Sequence, residues 1–135
     1  MAYRILLVDD ETDILEFVRY NLSKEEYEVY TATDGAEAVR TAAECRPHLI
    51  LLDMMMPVMD GIQTCRALRA LPATAGAIIV FLSALGEDES QLSGFDAGAD
   101  DYITKPIKMT LLKSRVNALL RRVDDSAPES GIEIS

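Results

Sequence analysis

Leu49-Ile50-Leu51-Leu52-Asp53-Met54-Met55-Met56-Pro57-Val58-Met59-Asp60-Gly61 is the stretch that decides the fold. Its first four residues are apolar without alternation, so the strand they form is buried on both faces. The run stops on an acid, Asp53. Pro57 and Asp60-Gly61 then break the chain, and Ile62, Cys65 and Leu68 recur at helical spacing. A doubly buried strand feeding a helix is the repeating unit of a parallel sheet.

The same unit recurs on either side. Upstream, Ile5-Leu6-Leu7-Val8 ends abruptly at Asp9-Asp10-Glu11 and precedes Ile14, Leu15, Val18 and Leu22. Tyr27 to Ala32 is a second strand. Asp34-Gly35 breaks it and opens a small-residue helix with Ala38, Val39, Ala42 and Ala43, closed by Pro47. Downstream, Ala77 to Leu82 is a fourth strand ending at Ser83, followed by a helix with Leu92 and Phe95 that Gly98 closes. Tyr102-Ile103-Thr104 is a short fifth strand, cut off by Lys105-Pro106. The last helix carries Leu112, Val116 and Leu119 and ends at Arg121-Arg122. Five strand–helix pairs in strict alternation predict an α/β fold, a doubly wound five-stranded parallel sheet with helices on both faces and right-handed crossovers.

A chain of 135 residues is one domain, and at roughly 70% burial of its unfolded surface it needs no disulfide or metal staple. The 49% hydrophobic and 27% charged composition agrees with a globular core. With 13 bases against 23 acids the net charge is −10, which repels phosphate backbones and anionic lipid; a charged partner is cationic, or a metal ion. Residues 1–123 read as the domain. Residues 124–135, with Asp124, Asp125, Glu129 and Glu133 but no base, read as an acidic linker, and Ile132-Glu133-Ile134 as the start of a further domain. Cys45, Cys65 and the lone His48 offer no His/Cys metal spacing and are expected as two helix-packing thiols and a surface residue. No apolar run reaches the ~20 residues of a membrane span, and the N-terminus lacks a signal peptide. The expected setting is the cytoplasm, without membrane contact.

In an open α/β sheet the site lies outside the carboxyl ends of the strands. Standing there are Asp9, Asp10, Asp53, Ser83 and Lys105, drawn from strands one, three, four and five. Singly, such residues cap helices or line loops. Together, clustered carboxylates are unfavourable unless a cation offsets them, and a set without His or Cys suits a hard ion such as Mg²⁺. An Asp beside Mg²⁺, a Lys and a hydroxyl is also equipment for phosphoryl transfer, with the carboxylate as nucleophile.

These residues, with Leu7-Val8-Asp9-Asp10-Glu11, Leu51-Leu52-Asp53-Met54-Met55-Met56-Pro57, Asp60-Gly61, Ser83-Ala84, Gly98-Ala99-Asp100-Asp101-Tyr102 and Thr104-Lys105-Pro106, make the chain resemble the receiver domain of bacterial two-component response regulators from about Tyr3 to Arg122. The resemblance implies a flavodoxin-like strand order, 2-1-3-4-5. It implies Asp53 as phosphoacceptor, with a sensor histidine kinase as donor. Asp10, Asp53 and the backbone carbonyl of Met55 would ligate Mg²⁺ directly and Asp9 through water. Ser83 and Lys105 would hold phosphoryl oxygens, Tyr102 would be an aromatic switch coupled to Ser83, and the bond to Pro106 would be cis. The chain itself would catalyse only its own phosphoryl transfer and slow dephosphorylation, with Met55 and Leu85 at the site mouth setting its lifetime.

The ending Asn117-Ala118-Leu119-Leu120-Arg121-Arg122 resembles winged-helix (OmpR/PhoB-type) regulators, which implies a transcriptional output, phosphorylation-dependent homodimers, and DNA contact only through a separate C-terminal domain. Contacts are expected at Leu92, Leu111, Asp100, Asp101 and Arg115, although Gln91 and Leu111 replace a charge pair common in that subfamily. The alternative is a stand-alone or hybrid-kinase receiver acting through protein contacts alone. A flavodoxin-type flavin protein is disfavoured by Asp9-Asp10-Glu11, where a phosphate loop would lie. A phosphatase of the haloacid dehalogenase class is disfavoured by Met55, where a second acid would stand. A pure interaction domain that has lost phosphorylation is disfavoured because all five site residues are present.

Overall fold

The computed structural model describes residues 2–84 and 95–125. In chain order the elements are β1 (Arg4–Val8), α1 (Thr12–Ser23), β2 (Glu28–Ala32), α2 (Gly35–Cys45), β3 (Leu49–Asp53), α3 (Gly61–Arg69), β4 (Ile78–Ala84), β5 (Asp101–Lys105) and α4 (Met109–Asp125). A further helical turn occupies residues 95–97. The sheet is parallel throughout, in the order β2-β1-β3-β4-β5. The sheet is doubly wound as the sequence pattern predicts, in the strand order that the resemblance implies.

Each continuous apolar run is sorted by the two-residue period of a strand. Leu6, Val8, Ile50, Leu52, Ile79 and Phe81 face one way and pack against Ala38 and Ala42 of α2 and Cys65 and Leu68 of α3. Ile5, Leu7, Leu49, Leu51, Val80 and Leu82 face the other way, against Leu15, Val18 and Leu22 of α1 and Leu112, Val116, Leu119 and Leu120 of α4. Burial of whole side chains on both faces, at roughly 1.5–3 kcal/mol for each large one, makes the sheet the rigid platform of the molecule.

The caps are local sequence chemistry. Asp34 accepts the Glu37 N–H at the start of α2. Asp60 and Gln63 form a reciprocal capping box on α3, each side chain accepting the other's backbone N–H. Gly61 is required here. A Cβ at this position would meet the Asp53 carbonyl oxygen and lie 2.7 Å from Met54 Cα, and its N–H donates to the Met54 carbonyl at 3.0 Å.

Several boundaries differ from the sequence expectation. α4 continues past Arg122 to Asp125, so the acidic segment assigned to the linker begins inside a helix. Helical hydrogen bonding does not stop where the apolar stripe ends, and no Gly or Pro stands at 123–125 to stop it. Ser83 lies within β4 and Lys105 within β5, where backbone pairing (Ser83 with Thr104, Ala84 with Lys105) extends the strands past their apolar runs. Ala43 is exposed. His48 is half-buried rather than on the surface. Its Nδ1 accepts the Arg4 N–H at 3.0 Å, its own N–H donates to the Arg4 carbonyl, and its ring meets Tyr3 edge-on at 5.2 Å. The imidazole thereby prolongs the β1–β3 pairing by one step. Cys65 is buried and Cys45 half-buried. No described helix is long and apolar enough to cross a membrane.

Candidate functional site

The register brings four strand ends to one edge. β1 delivers Asp9 and Asp10, β3 delivers Asp53, β4 delivers Ser83 and β5 delivers Lys105. Carboxylate oxygens of Asp9, Asp10 and Asp53 lie within 4.8 Å of one another. Asp9 and Asp53 are buried and Asp10 is exposed, so the cluster has a closed floor and one side open to solvent.

Lys105 is the cation that makes this floor tolerable. Its Nζ stands 3.2 Å from both Asp9 Oδ2 and Asp53 Oδ1, and 3.6 Å from Glu11 Oε1. Burial works against the ammonium, but Asp53 and Asp9 outweigh it and hold the amine above its usual range. One cation does not balance two buried acids. Burial, followed by the charge of Asp9, pushes Asp53 up to about 6, and burial also raises Asp9. The Glu11 N–H donates to Asp9 at 2.9 Å and the Met55 N–H to Asp53 at 3.3 Å, and each opposes the rise.

Two buried acids that share the Lys105 ammonium, with the exposed Asp10 beside them and no His or Cys in the cluster among the described residues, are a donor set that fits a hard divalent cation. The open Asp10 side leaves room for retained water, as Mg²⁺ prefers.

The remaining expected residues are placed as follows. Ser83 is 1% exposed and donates to the Ala84 carbonyl at 3.2 Å. The Lys105–Pro106 peptide is cis. Tyr102 is half-buried, its ring tilted on Phe95 at 5.3 Å. Met54 and Met56 are buried and Met59 is half-buried, but Met55 is 63% exposed. Leu85, Gln91 and Leu92 lie outside the described residues. Of the residues expected at a dimer contact, Leu111 is exposed, whereas Arg115 and Asp101 pair within the chain at 3.0 Å.

Two contributions went unread in the sequence. Glu11 supplies both a backbone donor to Asp9 and a third carboxylate to Lys105; its adjacency to the acid pair was the available signal. Arg69, at the end of α3, donates to the Gly98 carbonyl at 2.7 and 2.9 Å, to those of Ala75 and Ala77, and to Asp100 at 2.9 Å. Asp100 in turn accepts the Ile79 N–H. This clamp fixes the entry to β5, and hence Lys105, and no local pattern marks it.

A family model for the response regulator receiver domain matches residues 5–117. Among curated proteins, the chain is 43% identical over 121 residues to the DNA-binding dual master transcriptional regulator RpaA of Synechocystis, covering 90% of the chain and 50% of that protein. It is 42% identical over 130 residues to the alkaline phosphatase synthesis transcriptional regulatory protein PhoP of Bacillus subtilis, covering 96% and 53%. The chain spans about half the length of the curated relatives it matches. Among solved structures, the chemotaxis protein CheY4 of Vibrio cholerae superposes with a TM-score of 0.84 at 30% identity, covering 88% of this chain and 99% of that one. A Francisella response regulator receiver domain gives 0.81 at 32%, covering 90% and 98%.

Proposed function

Because the chain belongs to the response regulator receiver domain family, we propose that it is a signalling switch set by transfer of a phosphoryl group from a sensor histidine kinase to Asp53. One observation carries the reading: a buried carboxylate at the centre of the sheet edge, 3.2 Å from a lysine ammonium and beside two further acids.

An Asp53 carboxylate poised at about 6 is mostly ionised at neutral pH, so it can attack the donor's phosphorus while the P–N bond to the donor imidazole breaks. Its Oδ1 is held by Lys105 and by the Met55 N–H, which fixes the orientation of the carboxylate. Lys105 is placed to follow the arriving charge from Asp53 to a phosphoryl oxygen. The Ser83 hydroxyl, which donates to the adjacent Ala84 carbonyl, could turn toward another. We assign Tyr102, half-buried on the adjacent strand β5, the role of reporting that turn. Asp10, Asp53 and the Met55 carbonyl would hold Mg²⁺ directly, with Asp9 through water. When bound, the ion supplies positive charge that neutralises the developing phosphoryl oxygens.

The output proposed is transcriptional, as the names of the curated relatives suggest. DNA contact would fall to the part of such proteins that this chain does not span, with a phosphorylation-dependent homodimer as intermediary and the cytoplasm as setting. Incubation with acetyl phosphate and Mg²⁺ should add one phosphate by mass. Equal labelling of Asp53→Asn would refute the assignment.

A further inference from the structure

The loop after β3 carries a feature that the phosphoryl chemistry does not use. Val58 has φ +69°, and its side chain is entirely exposed. A β-branched residue in the left-handed region is strained, because its Cβ crowds the backbone. Such strain normally persists only where the surroundings enforce it, commonly at sites that engage a ligand. Here nothing is gained in the core, since an exposed isopropyl group buries no area.

Val58 instead forms one lip of a groove of about 430 Å³. Pro57, Val58 and Met59 line one side, and Thr33, Gly35 and Ala36 of the turn entering α2 line the other. Its floor is tight: a Cβ on Gly35 would come within 2.9 Å of Met59. The groove belongs to the same sheet edge as the acid cluster, because the Asp9 N–H donates to the Ala32 carbonyl, one residue before Thr33. In the two segments 33–38 and 57–63 the charged residues are Asp34, Glu37 and Asp60, all acidic. The groove is thus largely apolar in its walls, with Asp34 in its lining and every charged residue of the two flanking segments acidic.

We infer that this groove docks the phosphodonor protein, receiving an apolar side chain flanked by basic residues. The inference rests on the switch reading above. A protein donor must cover this edge to bring its imidazole to Asp53, and it meets these acidic segments there. A basic segment satisfies them, and an apolar tip satisfies the walls. A small-molecule donor needs neither contact.

The test separates the two donors. The cytoplasmic part of a sensor histidine kinase, chosen because it labels this chain, is compared with acetyl phosphate on the parent, Val58→Gly and Ala36→Trp. Val58→Gly removes the lip and its strain, and Ala36→Trp fills the groove. Expected is a fall of about tenfold in kcat/KM from the kinase in both variants, carried by KM. Labelling by acetyl phosphate should stay at the parental rate, and Val58→Gly should melt no lower than the parent. Kinase transfer at the parental rate in both variants would overturn the inference. So would equal losses from both donors, or a parental dimer abolished by the variants with transfer unchanged. No labelling of the parent by acetyl phosphate would instead count against the switch reading itself.

Discussion

Raising the pH from 5 to 7 without divalent ions should weaken this fold, and the contribution of Asp53 can be isolated. Its carboxyl is raised from 3.8 to about 6 by burial and by Asp9, so over this window the folded state holds a proton that the unfolded chain has released. Stability then falls as pH rises, since the slope follows protons bound when unfolded minus protons bound when folded. For a shift of this size the penalty is about 3 kcal/mol at pH 7 and about 1.5 kcal/mol at pH 5. The other acids add their own pH dependence, including the self-repulsion of a chain of net charge −10. The informative quantity is therefore the difference between the parent and Asp53→Asn, which keeps the shape and Asp9's contact with Lys105 but cannot titrate. Urea unfolding in chelator at pH 5, 6 and 7 gives both curves. Asp53→Asn should be the more stable at pH 7, with its advantage about 1–1.5 kcal/mol smaller at pH 5. An advantage that is flat with pH, or that grows toward pH 5, would refute the claim that Asp53 is buried at an electrostatic cost.

Mg²⁺ should relieve the same repulsion. At a hundredfold excess over Kd it should add roughly 2.7 kcal/mol to the parent and nothing comparable to Asp10→Ala, read as a thermal shift. An equal rise in that variant would place the ion elsewhere. Arg69→Met should cost about 2–3 kcal/mol by leaving Asp100 and the Gly98 carbonyl without their charged donor. Arg69→Lys should recover little of that loss, because an ammonium cannot span the fork. A midpoint unchanged in urea would show the clamp to be idle. If, as the family resemblance implies, positions 55 and 85 border the site, phosphate should leave the paired variant Met55→Asn/Leu85→Glu roughly ten- to a hundredfold faster than the parent, because polar groups there orient the attacking water. Equal lifetimes measured by mass would show that shielding by these side chains does not set the rate.

The architecture was legible because a parallel sheet writes itself locally. Leu49-Ile50-Leu51-Leu52 and its counterparts are too uniformly apolar to have a wet face, and strict alternation with helical spacing leaves few topologies. The site was legible for a related reason: strands stop where apolar side chains stop, so the residues that end them stand at one edge. Asp9, Asp10, Asp53, Ser83 and Lys105 could be collected without knowing any distance. What those residues do to one another was not legible. That Asp9 is closed off while its neighbour Asp10 is open follows from the strand's alternation meeting the packed loops. That Lys105 is shared by Asp9, Asp53 and Glu11 depends on registers joining residues as many as 96 positions apart. His48 read as a surface residue because nothing in its neighbours reveals that Arg4 would present an N–H to its ring. The Arg69 clamp and the strained, exposed Val58 are likewise products of chain crossings and backbone angles. Sequence determined which residues reach the edge, through hydrophobic burial acting on each segment by itself. Tertiary structure decided which of them touch, because contact, desolvation and charge compensation exist only between segments.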